Sequence, residues 1–154
     1  MANIVDLLSF DNIVFRNLCL WIGILIVKML FMSGLTAFFR IKNKAFSSPE
    51  DLMFGGKKAK APKYDDPSVE RVRRAHRNDL ENVLPFIIAS FFYTLTNPTP
   101  FLAVNLVRVG ALCRIAHTAV YAFGPVPQPT RAIAFGIPLA ISVYMSVQVI
   151  LHFA

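Results

Sequence analysis

The residues able to do chemistry are concentrated in one short run, Glu70-Arg71-Val72-Arg73-Arg74-Ala75-His76-Arg77-Asn78-Asp79-Leu80-Glu81-Asn82. On a helical wheel with Arg73 at zero, Arg77 falls at about 40°, Glu70 at about 60°, Glu81 at about 80°, Arg74 at about 100° and Asn78 at about 140°. One face therefore carries six polar groups. His76 and Asp79 fall on the other side, where they either brace the structure or reach the same ligand through a neighbouring subunit. Arginines beside a single carboxylate suit a ligand with several carboxylates and one ammonium: the guanidinium fork matches carboxylate geometry, and Glu81 accepts from the ammonium. The plain alternative is a solvated helix carrying ion pairs at i,i+4 spacing. That alternative weakens at Glu81, which stands two residues before an apolar run, a depth at which ionisable groups face a cavity or a partner.

A second polar face follows in an otherwise apolar stretch, where Arg114, His117 and Tyr121 lie within about 60° of one another. Arg108 points the opposite way and reads as a snorkelling or interhelical residue. Pro125-Val126-Pro127-Gln128-Pro129-Thr130-Arg131 reads as a rigid turn followed by a helix start, with Thr130 as N-cap. Arg131 then stands beside unpaired backbone amides. A cation at a helix N-terminus is an anion site, and one that lowers a thiol's pKa from about 8.5 toward neutrality.

These groups need elements to hold them, and the composition says in what medium. Of the 154 residues 55% are apolar and 16% charged, against roughly a quarter charged in soluble domains. Residues 40–82 hold eleven of the sixteen Lys/Arg and seven of the nine acids, while the 73 residues after Glu81 keep only Arg108, Arg114 and Arg131. That distribution excludes a disordered chain and argues against a nucleic-acid binder despite the net charge of +7. It fits a single integral membrane domain over residues 1–154. Four helices are expected, at about 13–39, 68–95, 101–123 and 130–153, joined by a loop over 40–67 and two proline-rich turns. The fold class is all-α, a four-helix transmembrane bundle. Six lysines between Lys42 and Lys63 place the 40–67 loop in the cytosol by the positive-inside rule. The first apolar run is too long for a cleavable signal peptide and reads as an anchor. Cys19 and Cys113 lie in apolar runs without a partner motif, so neither a metal site nor a disulfide is expected. Pro85 and Pro138 fall inside helices without an assigned role. Lys28, in the middle of the first helix, reads either as a buried interhelical cation or as a partner for a carboxylate such as Asp79.

The run from Glu70 to Asn82, followed by Pro85-Phe86, resembles the signature of the membrane-associated eicosanoid and glutathione metabolism family. Ser48-Pro49-Glu50-Asp51, His117-Thr118-Ala119-Val120-Tyr121 and Pro127-Gln128-Pro129-Thr130-Arg131-Ala132 match it in order and spacing, so the similarity spans essentially the whole chain. The resemblance implies a homotrimer of four-helix subunits in the endoplasmic reticulum membrane, with the mitochondrial outer membrane as a second location. It implies glutathione as co-substrate, without a metal, held between adjacent subunits near the cytosolic surface. By the same resemblance Arg40, Arg73, Arg74, His76, Arg77, Asn78, Glu81, His117 and Tyr121 line that site, Arg131 binds and stabilises the thiolate, and Asp51 matches an aspartate implicated in catalysis.

The expected activity is conjugation of glutathione thiolate to hydrophobic electrophiles dissolved in membrane lipid, with reduction of lipid hydroperoxides by the same thiolate. Two other readings stand beside it: glutathione-dependent prostaglandin synthesis, and a non-enzymatic membrane scaffold or lipid-binding protein. The family's prostaglandin synthase branch has a serine after the arginine matching Arg131 and a tyrosine three positions further on. Here those positions hold Ala132 and Phe135, which favours the transferase. Leu52 replaces the cysteine that in the mammalian transferase branch follows the aspartate, so activation by thiol reagents at that position is not expected.

Overall fold

Short polar side chains start the helices. In the computed structural model, which describes residues 3–58, 61–123 and 129–154, Asn3 caps a single helical turn, α1 (Ile4–Leu7). The Asn12 carboxamide then accepts from the Val14 and Phe15 amides at 2.9 and 3.3 Å, opening α2 (Ile13–Asn43). Arg40 and Lys42 in the last turn of α2 face the negative end of its dipole. This carries the helix a turn beyond the expected end at Phe39, to Lys44 in the left-handed conformation (φ 52°). The polar connection is not a plain loop, because 3-10 turns occupy Pro49–Lys58, interrupted at Gly56 (φ 62°).

Asp66 begins α3 (Pro67–Leu95) and also joins it to α2. One carboxylate oxygen accepts from the Ser68 and Val69 amides and, at 2.9 Å, from the side chain of Asn43. The other pairs with Lys63 at 3.1 Å. Burial alone would raise its pKa; the hydrogen bonds from Asn43 and Val69 and the Lys63 cation outweigh burial and hold it below the usual carboxylate value. The chain reverses at Asn97 (φ 53°) into α4 (Pro100–Phe123), and α5 (Thr130–Phe153) closes the sequence. Thr130 is not the N-cap of α5. Pro129 occupies that position without a side-chain cap, and its carbonyl accepts the first ladder bond, from the Ile133 amide at 3.0 Å. The expected turn over 125–128 lies outside the described residues.

The architecture is all-helical, with no strand among the described residues. Three helices are long and apolar enough to cross a membrane: Ile13–Asn43, Pro100–Ala122 and Thr130–Phe153. The fourth long helix, α3, has 29 residues, about 44 Å of rise, but its first half carries the charges. α3 and α4 form the inner pair, each packed on α2, α5 and one another, while α2 and α5 lie on opposite sides of that pair. This is why α2 and α5 expose so much apolar surface, including Val27, Leu30, Phe31, Val143 and Leu151.

The buried stripe of α3 runs Val72, Ala75, Asp79, Val83, Phe86, Ser90 and Tyr93, the i, i+3/i+4 spacing of a core face. Leu25, Val83, Phe86, Ala111 and Met145 make the larger apolar cluster, and Met32, Val72, Ala75 and Ala122 the smaller. Asp79 sits in the stripe between them. Small residues let α3 and α4 approach closely: a Cβ placed on Gly110 would collide with the ring of buried Phe86.

Candidate functional site

The head of α3 faces two ways. Toward α2, Arg73, His76 and Arg77 meet Arg40, Ser33 and Thr36 around a cleft of about 370 Å³. The helical wheel sets His76 apart from Arg73, but a cleft between two helices takes residues from a wider arc than one face, and the two share its wall. Arg73 also pairs with Glu70 one turn earlier. Arg40 is half-buried, with its Nε lacking a partner among the described residues, and it stands between this cleft and a second of about 350 Å³ lined by Ala37, Ile41, Phe46, Phe54 and Asp51. Ser33 and Thr36 are likewise common to both. A strongly basic cleft and a more apolar one carrying a carboxylate thus lie side by side. Arg74 is exposed and lines neither.

Deeper in the bundle, between α2 and α4, the same helix builds a buried ion network. Asp79 is fully buried. Its Oδ1 accepts from Lys28 Nζ of α2 at 2.8 Å and from Arg114 Nη2 of α4 at 2.9 Å. Thr118 Oγ1 accepts from Lys28 at 2.9 Å and lies within donating distance of both Asp79 oxygens. Arg114 also donates to the Asn78 carboxamide oxygen at 2.9 Å, so Asn78 serves as a strut for Arg114. The network joins three helices, and its two cations against one carboxylate leave a net positive charge. Arg114 is 1% exposed, yet its Nε and Nη1 have no partner among the described residues. It borders a cavity of about 230 Å³ with Glu81, Asn82, Pro85, Pro138 and Ser142. Both helix prolines therefore line this cavity, where each frees the carbonyl four residues earlier.

A third group gathers where α4 meets α5. The rings of His117 and Tyr121 are 5.7 Å apart, and the Arg131 guanidinium lies over the Tyr121 ring at 5.2 Å, a cation–π contact that ties the start of α5 to α4. Phe135 stands beside His117 at 6.1 Å. His117 is buried, with Nδ1 unpartnered among the described residues.

Within the chain the sequence-derived residues thus form three groups: Arg40, Arg73, His76 and Arg77 with Asp51 adjacent; Asn78 and Glu81 around Arg114; and His117, Tyr121 and Arg131. The residues that sequence reasoning left without a function, Lys28 and Asp79, and the unnoticed Thr118, turn out to be the scaffold beneath them. A signal for them exists in the spacing, since each occupies a buried position of its helix where an apolar residue is ordinarily found.

An all-helical chain with three helices apolar enough to span a membrane, a buried ion network between them and a basic cleft at one end has the make-up of an integral membrane protein. Residues 18–151 match the MAPEG family model, and the chain belongs to that family. It is 41% identical to human microsomal glutathione S-transferase 1 over 92% of this chain and 93% of the relative. It is 43% identical to the bovine protein of that name, over 95% and 94%. Human prostaglandin E synthase is 35% identical over 82% of each chain.

Proposed function

We propose that this chain is a membrane glutathione transferase, acting as a homotrimer of four-helix transmembrane bundles, with α3 as the fourth span. Its location is the endoplasmic reticulum membrane, and the polar connection between α2 and α3 faces the cytosol. The mitochondrial outer membrane is a second site for the same topology. The observation that carries the reading is the convergence of Arg40, Arg73, His76 and Arg77 on one cleft that adjoins a more apolar one. Glutathione has two carboxylates for those cations, and a hydrophobic electrophile has an apolar wall to rest on.

The other two groups need a place in the same site, and a cleft shared by adjacent subunits supplies it. Glu81 and Asn78 then meet the ligand's ammonium and amide ends, while His117, Tyr121 and Arg131 border the sulfur. Arg131, held over Tyr121 at the N-terminal turn of α5, pairs with the thiolate. The sulfur lone pair attacks the electrophilic carbon, a carbon–sulfur bond forms, and the leaving group departs with the bonding pair. Catalysis comes from proximity and from a larger thiolate population. The same thiolate reduces lipid hydroperoxides, and a second glutathione completes the disulfide. Asp51, in the adjoining cleft with Arg40, is placed to orient Arg40 or the electrophile.

The transferase is favoured over prostaglandin synthesis by Phe135. It packs against His117 where a ring hydroxyl would be needed to assist peroxide opening, and Ala132 offers none either. The test is purified Arg131→Ala in detergent. Glutathione binding by calorimetry is retained, whereas thiolate absorbance and conjugation of a chlorodinitrobenzene-type substrate fall at least about tenfold, the loss of one charge-assisted contact to the reacting atom. Normal turnover by this variant would overturn the role of Arg131, and absence of glutathione binding by the unmodified protein would leave the scaffold reading in its place.

A further inference from the structure

A further cavity lies at the far end of the helices from the basic clefts, and the proposed transferase chemistry does not use it. It has a volume of about 460 Å³ and opens where α3 ends, α4 begins and α5 ends. Its walls carry the Tyr93 and Tyr144 side chains, in edge contact at 6.1 Å, with Gln148 and His152 from the last turns of α5. Thr96, Asn97 and Thr99 of the reversing turn form its floor. Among the described residues no carboxylate, lysine or arginine side chain lines it. The contrast with the opposite end, where three arginines and a histidine line one cleft, is a contrast of ligand class: this pocket offers hydroxyl, amide and imidazole groups to an uncharged polar partner.

The surroundings supply the other half of the ligand. Leu102 and Leu151 belong to the lining. Phe101, Ile150 and Phe153, next to lining residues in the sequence, are exposed, Phe101 at 80%, and α5 is long and apolar enough to cross a membrane. Tyrosines at such a level mark the membrane interface, with an apolar body toward the chains and a hydroxyl toward the headgroups. A polar pocket opening onto an apolar membrane-facing surface fits an amphiphile lying along α5 with its head turned inward.

We infer that this pocket is a second binding site, for a lipid whose head is uncharged and rich in hydroxyl and ester oxygens, such as a monoacylglycerol. The head is held by Tyr144 and Gln148 and the chain runs along Leu151 and the neighbouring apolar surface. The site rests on the membrane reading of the helices and not on the glutathione reading.

The experiment is native mass spectrometry of the full chain in detergent, incubated in turn with a monoacylglycerol, a phosphatidylcholine and a phosphatidylserine of the same chain. Retention of the monoacylglycerol should exceed that of the phosphatidylserine at least about tenfold. Tyr144→Phe combined with Gln148→Leu removes two hydrogen-bonding groups at no cost in bulk, and should reduce monoacylglycerol retention about thirtyfold, as expected for two bonds of about 1 kcal/mol each. Conjugating activity should stay within twofold, which shows that the variant is folded and separates this site from the glutathione site. Equal retention of the three lipids by the unmodified protein overturns the inference, as does undiminished monoacylglycerol retention by an active double variant.

Discussion

Asp79 joins three helices, accepting from Lys28 of α2 and Arg114 of α4 and lying within reach of Thr118. It is fully buried at membrane depth between two apolar clusters, and it neutralises one of two cations, Lys28 and Arg114, that would otherwise be stranded there. A buried pair need not be worth much over an apolar substitute, but removing one partner leaves an uncompensated charge, at about 3–5 kcal/mol. Asp79→Ala should therefore lower the thermal unfolding temperature in detergent far more than Arg74→Ala, an exposed position with no partner role in the structure. Asp79→Asn keeps the volume and should fall between. Restoring stability by combining Asp79→Asn with Lys28→Met would identify the stranded charge, rather than lost packing, as the cause. At the same scale, His76→Ala should weaken glutathione binding in parallel with Arg77→Ala, since both line one cleft.

Among the elements, the two ends of α3 are under different control. Its start depends on Asp66, which caps the helix and simultaneously binds Asn43 and Lys63. Because the folded carboxyl is held below its usual value, its contribution is complete above the unfolded pKa of about 3.9 and is lost as pH falls through the lower, folded value. Unfolding followed by circular dichroism should show stability dropping on the acid side of pH 4, and Asp66→Ala should remove about 1 kcal/mol at pH 7 while flattening that acid limb. Further along, the crossing of α3 and α4 depends on Gly110. Gly110→Ala sets a methyl against the buried Phe86 ring and should destabilise by about 1–3 kcal/mol through overpacking, against the small gain that alanine brings to an exposed helix. Phe86→Leu in the same background should recover part of the loss.

For the whole molecule the decisive question is whether the three residue groups, which one chain holds apart, serve one ligand. The homotrimer proposed above, with its site between subunits, would bring them together, and the prediction is direct. Chemical cross-linking in detergent should stop at three copies. Mixed trimers made from Arg131→Ala and Arg77→Ala chains should recover activity that neither variant shows alone, because some of their sites draw Arg77 from one chain and Arg131 from its neighbour. Lack of any recovery would place both arginines in sites built from a single chain.

Much of this was written along the chain. Charge segregation and the apolar runs set the medium and the all-helical class, whereas the asparagine and aspartate caps that open α2 and α3 were not foreseen and the one cap that was, Thr130, gives way to Pro129. The spacing of Arg73, Arg77 and Glu81 placed polar groups at the head of one helix, and of the Arg114, His117 and Tyr121 triplet the structure brings His117 and Tyr121 together while Arg114 turns to Asn78 and Asp79. Other features were decided only in three dimensions. Which of those groups meet depends on the neighbours each face acquires: Arg73, His76 and Arg77 turn toward Arg40, whereas Asn78 and Glu81 turn toward Arg114. The Lys28–Asp79 pair was one of the two readings open for Lys28 and is present at 2.8 Å, but its extension to Arg114 and Thr118 was the least legible part, because periodicity gives the angle of a side chain about its own helix but not its height relative to residues on the next. Only when α2, α3 and α4 are set side by side do a lysine, an aspartate, an arginine and a threonine, each at a core position, come to one level in a medium where no water could have satisfied them separately.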